Sequence, residues 1–228
     1  MKVTGMPFKG PLVRALLDGS KTQTRRVVKL QRLAGNHFEG GATGVEFDGF
    51  RIPRDCGPAT ARFSAEAVGG GAYLSEEIHC PYGQPGDRIW VRETLGYKAD
   101  TGHFYAATGM HVGALLDYEL EPPPSVGLPA RVIADAHMPR WTSRILLEIV
   151  SVRVERLQDI SDADITAEGI DMEALAESQD RYDIVCKGSG ASGRATERTA
   201  WRDLWESTGG DWEANPWCWA ITFKWVTQ

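Results

Sequence analysis

The clearest pattern of apolar and polar positions lies near the C-terminal end of the chain. Large apolar side chains alternate there with smaller or polar ones, at Trp217, Trp219, Ile221, Phe223 and Trp225. A period of two is typical of a β-strand whose alternate side chains enter a core. The pattern therefore predicts a strand over residues 217–226, at a tryptophan-rich end that supplies much of the core.

Shorter patterns predict further strands at residues 25–29, 88–92, 104–107 and 144–154. Three short helices are predicted over residues 11–17, 161–169 and 199–205. Pro11 suits the first turn of the first helix, and Gly19 is placed to end it. In the second helix Ser161 is placed as the N-cap and Gly169 as the terminating residue.

Two glycine-rich segments, residues 31–84 and 173–194, lose this periodicity. They contain the runs GG at 40–41, GGG at 69–71 and GSGASG at 188–193. We interpret both as irregular insertions, with short strands at most, in a single domain that spans residues 1–228.

Composition narrows the function classes. The chain has 228 residues, enough to bury a core without cross-links, and a formal net charge of −6. That charge argues against nonspecific coating of nucleic acid but permits a local basic site. The four cysteines lie far apart without a C-x-x-C pair, so we predict reduced, mostly structural thiols. No set of metal ligands is convincing, and we predict a site without metal or cofactor. The chain shows neither a signal-peptide pattern nor a long apolar run, which predicts a cytoplasmic protein with no membrane partner.

The densest group of reactive side chains is the segment GSKTQTRR at residues 19–26. Lys21 precedes Thr24 by three residues, and a threonine hydroxyl becomes a nucleophile when a nearby base takes its proton. Lys21, Arg25 and Arg26 also suit the binding of an anion. The alternative, a solvated basic turn after a helix, stays open.

Glu168 lies in the last turn of the second predicted helix. A carboxylate there is unfavourable beside the negative pole of the helix dipole, unless a cation or a catalytic role compensates it.

Five segments in order carry a family resemblance: GSKTQTRR at 19–26, YGQPGDRIWVRE at 82–93, HMPRW at 137–141, residues 144–169 and NPW at 215–217. Together they resemble an ASCH domain of the PUA-like superfamily, of the longer type that phages and prophages encode. The resemblance implies an α+β fold, with a small mixed or antiparallel β-barrel and flanking short helices. It also implies a cleft where the Lys-Thr segment faces the helix that ends in Ala-Glu-Gly.

Small bacterial ASCH proteins include amidohydrolases that remove the acyl group from N4-acetylcytidine with a lysine, a threonine and a glutamate. By this resemblance the catalytic residues are Lys21, Thr24 and Glu168, and the partner is a modified cytosine nucleoside. Arg25 becomes a candidate for binding the substrate or the developing oxyanion. The chain is much longer than the small enzymes, so its insertions could reshape the cleft.

Four more residues are candidates for substrate binding: Arg26, Trp90, Glu93 and Trp141. Glu93 follows a predicted strand and is the rival carboxylate to Glu168. The rings of Trp90 and Trp141 could stack on a base, although core packing is the alternative for both.

Two non-catalytic alternatives remain open. The protein could read RNA, single-stranded nucleic acid or a flipped base with Arg25, Arg26 and Trp90. Lys21 and Glu168 could also form an ion pair that joins the helix to the sheet and has no chemical role.

Overall fold

The structure is a computed structural model that describes residues 1–30, 33, 42–51, 59–67, 73–112, 128–185 and 195–226. The predicted glycine-rich tip at 188–193, together with Cys56 and Cys186, lies outside these residues.

Strands dominate the described residues. They are β1 (Val3–Pro7), β2 (Gln23–Val27), β3 (Ala42–Arg51), β4 (Thr60–Ala67), β5 (Tyr73–Ile78), β6 (Arg88–Arg92), β7 (Leu95–Lys98), β8 (Gly102–Tyr105), β9 (Leu146–Arg156) and β10 (Trp217–Trp225). The α-helices are α1 (Gly10–Leu17), α2 (Asp162–Ala167), α3 (Met172–Val185) and α4 (Glu197–Ser207). Short 3-10 helices span Asp135–His137, Arg140–Thr142 and Leu157–Asp159. The α+β class is confirmed.

The main sheet has five strands in the order β1-β6-β9-β10-β2. β1 pairs with β6 in parallel, and the other neighbours are antiparallel. No ladder joins the edge strands β1 and β2 within the described residues, so the sheet there is not a closed barrel. The Arg26 side chain instead donates a 2.6 Å hydrogen bond to the Pro7 carbonyl oxygen. The sheet is therefore curled enough for one side chain to connect its two edges.

The strands at 88–92, 144–154 and 217–226 are confirmed as β6, β9 and β10, with ends that shift by one or two residues. The helix predicted at 11–17 is α1, and Gly19 follows it with a φ of +84°. Ser161 caps α2 as expected, because its hydroxyl accepts from the Asp164 amide.

The prediction of short strands at most within residues 31–84 was wrong. β3, β4 and β5 form an antiparallel sheet with strands of ten, eight and six residues. Gly44 and Gly49 have φ values of +76° and +104°, and the β3–β4 register shifts at both places. These glycines mark bulges in a strand, which the sequence pattern cannot distinguish from a loop.

The prediction of an irregular segment at 173–194 was also wrong where the structure describes it. Residues Met172–Val185 form the fourteen-residue helix α3. Its first half consists mainly of good helix formers such as alanine, leucine and glutamate. Among the side chains of this helix that the structure describes, Leu175 alone belongs to the buried apolar core. Without an apolar stripe, the periodicity that predicts a helix is missing.

Two apolar clusters cover the two faces of β10. The first joins Trp219 and Ile221 to Leu16 of α1 and Phe63 of β4. The second joins Cys218 to the tryptophans of α4 and the following loop, Trp201, Trp205 and Trp212. Helix α4 is thus packed beside the sheet near its edge strand, β2.

Candidate functional site

The segment between α1 and β2 is held by backbone hydrogen bonds to both neighbouring helices. The Lys21 amide donates to the Ala15 carbonyl at 2.9 Å, and the Thr22 amide donates to the Ala167 carbonyl at 2.9 Å. The end of α1 and the end of α2 therefore meet at Lys21, although about 145 residues separate them in sequence.

Lys21 and Glu168 form a buried ion pair. Lys21 Nζ donates to Glu168 Oε2 at 2.8 Å and to the Glu168 carbonyl oxygen at 2.6 Å. Gly169 follows with a φ of +86°, and a Cβ there would lie 2.9 Å from the Cβ atoms of Lys21 and Ala15. The glycine that ends α2 thus also allows the lysine to approach.

Burial lowers the pKa of Lys21 below the 10.5 of an ordinary lysine, because desolvation penalises the ammonium. Glu168 raises that pKa, while the positive charges of Arg26 and Arg25 lower it further. The net direction is downward, so Lys21 gives up its proton more easily than a solvated lysine does.

Arg25 holds the other oxygen of Glu168. Its fully buried guanidinium donates to Glu168 Oε1 and to Asp164 Oδ2, both at 3.1 Å, and it also contacts Glu155. Although burial of Asp164 opposes it, hydrogen bonding from Gln23 and the charges of Arg153 and Arg25 lower the pKa of Asp164. Arg25 therefore fixes the orientation of Glu168 through its own side chain.

A cavity of about 500 Å³ borders the free edge of β2, and we call it the β2 cavity. The residues that line it are Leu12, Thr24, Arg25, Arg26, Val27, Lys29, Glu168, Trp201, Leu204, Trp205, Thr208, Gly209 and Gly210. Lys21 lies behind Glu168, with a side chain that is fully buried. Cavities of this size accommodate a small organic ligand.

The pairing of β2 with β10 determines which way the side chains and backbone groups of β2 face. Thr24 lies opposite Ile221 and faces the first apolar cluster, while Arg25 faces α2 and α4. The Phe223 amide donates to the Thr22 carbonyl, and the Val28 amide donates to the Trp217 carbonyl. Even-numbered residues of β2 thus pair with β10, and the backbone groups of Arg25 and Val27 point to the free edge.

Of the predicted catalytic residues, Thr24 and Glu168 line the β2 cavity, and Lys21 contacts Glu168. Within the described residues no hydrogen bond joins Lys21 Nζ to Thr24 Oγ1, since the bonds from this amine all go to Glu168. Arg25 and Arg26 line the same cavity.

The structure does not bring Glu93, Trp90 and Trp141 to this cavity. Glu93 accepts two hydrogen bonds from Arg144, at 2.8 and 2.9 Å, in a separate buried ion pair. Trp90 lies on β6 between the core residues Ile89 and Val91, so its ring is on the opposite face of the sheet from the core.

The Trp141 side chain is 56% exposed in a 3-10 helix. The structure therefore supports neither tryptophan as part of the β2 cavity.

The sequence analysis did not single out several residues of the cavity, among them the cation Lys29 and two tryptophans. Trp201 and Trp205 contribute to its wall, and their rings lie 5.8 Å apart. Their spacing of four residues places them on one face of α4 and was the available signal. The helix begins in a capping box at Thr196, and both rings pack in the second apolar cluster with Cys218 of β10.

A larger cavity, of about 590 Å³, is lined by residues that include Phe50, His79, Cys80, Asp87 and Val152. Burial raises the pKa of the Cys80 thiol, which makes it a poor nucleophile. Asp87 already accepts hydrogen bonds from the amides of Lys2 and Gln84. The reactive groups are therefore concentrated at the β2 cavity, despite its smaller volume.

In the part of the chain that the structure describes, no group of three or more His, Cys, Asp or Glu residues is arranged to hold a metal ion. None of the described helices has the length and apolar character needed to cross a membrane.

No family model matches the chain, and comparisons with curated proteins and with solved structures gave no match either. The resemblance to ASCH domains thus depends on the sequence segments themselves.

Proposed function

We propose that this protein is an ASCH-type, PUA-like amidohydrolase that removes the acyl group from an N4-acylated cytosine nucleoside. The observation that carries the proposal is the pairing of a lysine of lowered pKa with Glu168, at a cavity whose wall also contains Thr24. A nucleophile, a base and a residue that orients the base are the minimum set for acyl transfer.

In the proposed reaction the Lys21–Glu168 pair shares one titratable proton. When the proton is on Glu168, Lys21 is a neutral amine and takes the proton of Thr24 as its hydroxyl attacks the acyl carbon. The C–N bond then breaks, and Glu168 gives its proton to the departing N4 amine. Water hydrolyses the acyl-threonine ester and releases the carboxylic acid, which leaves Thr24 unchanged.

The free edge of β2 can stabilise the negative charge that develops on the acyl oxygen in this reaction. Backbone amides of Arg25 and Val27 point away from β10, and both residues line the cavity. Preorganised amides of this kind stabilise an oxyanion. Arg25 itself is engaged by Glu168, Asp164 and Glu155, so we assign it the role of holding Glu168 in position.

The non-catalytic reader of nucleic acid finds less support. It requires Arg25, Arg26 and Trp90 on one surface, but β9 and β10 separate the strand of Trp90 from β2. The side chains of Thr24 and Arg26 face the core side of the sheet, and the Trp90 ring does not.

The experiment that tests the proposal measures cytidine release from N4-acetylcytidine by the wild type and by the double variant Lys21→Met with Glu168→Leu. Replacing both partners of a buried ion pair by apolar residues preserves stability in many proteins. We expect the double variant to remain folded and to lose turnover. Full turnover in the folded double variant would assign the pair a structural role alone.

A further inference from the structure

The wall of the β2 cavity contains hydrogen-bond donors that have no acceptor. Six buried side-chain polar atoms lack a partner in the described part of the chain, and three of them belong to residues of this wall. They are Arg25 Nε, Arg26 Nε and Trp201 Nε1, and each is a donor. Leaving a buried donor unpaired is costly, and a bound anion is one group that can supply the acceptor.

The charges around the cavity also favour a ligand that accepts hydrogen bonds, because positive charge is in excess there. Three cations face three carboxylates in one network that includes Arg25 and Glu168 of the wall, and its members are Lys21, Arg25, Arg153, Glu155, Asp164 and Glu168. That network is neutral as a whole. Arg26 and Lys29 also line the cavity, and neither forms an ion pair with a described residue.

The surroundings of Arg26 include groups that oppose its positive charge. Glu168 and Asp135 attract Arg26 over a longer distance, and its guanidinium stacks over the Phe8 ring at 5.2 Å. The C-terminal end of α4 also borders the cavity at Thr208, but the carbonyl of Trp205 there already accepts hydrogen bonds. An excess of two positive charges remains at the wall.

From these observations we propose that the β2 cavity binds a phosphate group of its substrate. The substrate class is thus a phosphorylated N4-acylcytosine, either a free nucleotide or a residue of a polynucleotide. A phosphate offers several acceptor oxygens and a negative charge, which match Arg26, Lys29 and the Trp201 N–H. Arg26 and Thr24 are two residues apart on β2, about 7 Å, so phosphate and acyl group occupy neighbouring parts of one cavity. This inference rests on the proposed function.

The first experiment compares three substrates of the wild-type protein: N4-acetylcytidine, its 5′-monophosphate and a short oligonucleotide that contains one N4-acetylcytidine. We expect KM to be at least about tenfold lower for the phosphorylated substrates, as a charge-assisted hydrogen bond provides. The advantage should shrink as salt is added. Whichever phosphorylated substrate has the lower KM shows whether the phosphate belongs to a free nucleotide or to a polynucleotide. Equal KM values for the nucleoside and both phosphorylated forms would overturn the proposal.

Substitutions at the wall test whether the preference for phosphate depends on the charge or on the shape of the side chains there. Lys29→Gln, Arg26→Gln and Trp201→Phe should each reduce the preference for phosphate, while Arg26→Lys should retain part of it. Lys98→Gln and Trp212→Phe are matched controls, since neither residue lines the β2 cavity, and both should leave the preference unchanged. If Arg26→Gln or Trp201→Phe does not fold, exposed Lys29 still provides the test. An unchanged preference in Lys29→Gln and Arg26→Lys would contradict the assignment.

Binding measurements distinguish this inference from the proposed hydrolysis. Titration calorimetry with cytidine 5′-monophosphate and with cytidine requires no turnover. If no acylated substrate is hydrolysed but the monophosphate binds at least about tenfold more tightly, the reaction is wrong and the phosphate site stands. If cytidine binds as tightly as the monophosphate, the phosphate site is wrong whatever the activity.

Discussion

Lys21 and Glu168 are joined through both the carboxylate and the backbone carbonyl of the glutamate, at 2.8 and 2.6 Å. The carbonyl bond fixes the amine at the end of α2 whatever the charge of the carboxyl group. This double attachment lets a proton move between the two side chains without loss of their geometry. The other carboxyl oxygen is held by Arg25 at 3.1 Å, so Glu168 cannot turn away.

Replacing Lys21 by arginine should abolish catalysis without removing the positive charge. An arginine can still pair with Glu168, but its guanidinium does not give up a proton near neutral pH. We expect turnover of N4-acetylcytidine to fall by orders of magnitude. In the wild type, turnover should decrease as pH rises through the pKa of Lys21, which is lowered below 10.5, because the pair then loses the shared proton that protonates the departing amine.

The double variant Lys21→Ala with Glu168→Ala supplies the control for this prediction. Residues that act as one unit give non-additive losses, so its turnover should be no lower than that of either single variant. Full activity of Lys21→Arg would exclude Lys21 as the base.

Thr24→Val should remove the proposed nucleophile and keep the shape of its side chain. We expect turnover to fall by about a thousandfold, whereas Thr24→Ser should retain measurable activity because it keeps a hydroxyl. Thr22→Val is the matched control, since Thr22 is exposed in the same segment. Circular dichroism checks the fold of each variant. Undiminished turnover in Thr24→Val would point to a water molecule as the nucleophile.

Glu93→Gln should affect stability and not catalysis. The side chains of Glu93 and Arg144 are 2% and 3% exposed, so the substitution leaves a buried guanidinium without its counter-ion. We expect unfolding in urea to show a loss of about 3 kcal/mol. The turnover number of the folded protein should be unchanged.

The matched control is Glu148→Gln, which breaks the more exposed pair with Lys224 and should cost less than about 1 kcal/mol. The opposite result, a stable Glu93→Gln variant without turnover, would make Glu93 the catalytic carboxylate.

Tyr105 should make the fold sensitive to alkali. Burial raises its pKa from 10.0 to about 12, and its hydroxyl donates to the Thr142 carbonyl at 2.8 Å. In the unfolded chain the phenol loses its proton near pH 10, whereas the folded protein retains it to about pH 12. The free energy of unfolding should therefore decrease as pH rises through this window.

Tyr105→Phe should flatten the dependence of stability on pH between 10 and 12, measured by urea unfolding at several pH values. At neutral pH the lost hydrogen bond should cost about 1 kcal/mol. Tyr97→Phe, at a half-buried tyrosine on β7, is the comparison. An equally steep alkaline decrease in Tyr105→Phe would assign the effect to another group.

Limited proteolysis tests whether the chain is a single domain. We expect cleavage within residues 31–84 or 173–194 to leave fragments that still elute together in gel filtration. The reason is that Ala61 and Phe63 of β4 pack in the same cluster as Ile89 and Trp219 of the main sheet. Release of two separately folded fragments would contradict a single domain.

Local patterns in the sequence were sufficient to predict the strands and helices that frame the site. The alternation at 217–226 predicted β10, because alternate side chains of a strand face one side. Ser161 predicted the start of α2, because a capping hydroxyl acts within three residues. Through the resemblance to ASCH domains, the sequence also indicated Lys21, Thr24 and Glu168 as candidate catalytic residues.

The bulged strand β3 and the helix α3 were not predictable in this way. In β3 the glycines that normally indicate a loop adopt positive φ within a ladder, where pairing with β4 offsets their weak strand propensity. In α3 the apolar stripe that indicates a helix is missing. Both elements depend on interactions that a local pattern does not record.

The sequence by itself determined the chemical groups near the edge of β2, including the adjacent Thr24, Arg25 and Arg26. Only the tertiary structure decided their roles. Glu155 and Asp164 reach Arg25 from 130 and 139 positions along the chain, and they neutralise it. Arg26 and Lys29 form no such pair with a described residue, so they alone give the β2 cavity its excess charge. Whether a cation is available to a ligand depends on which distant carboxylates the packing of sheet and helices brings to it, and spacing along the chain does not contain that information.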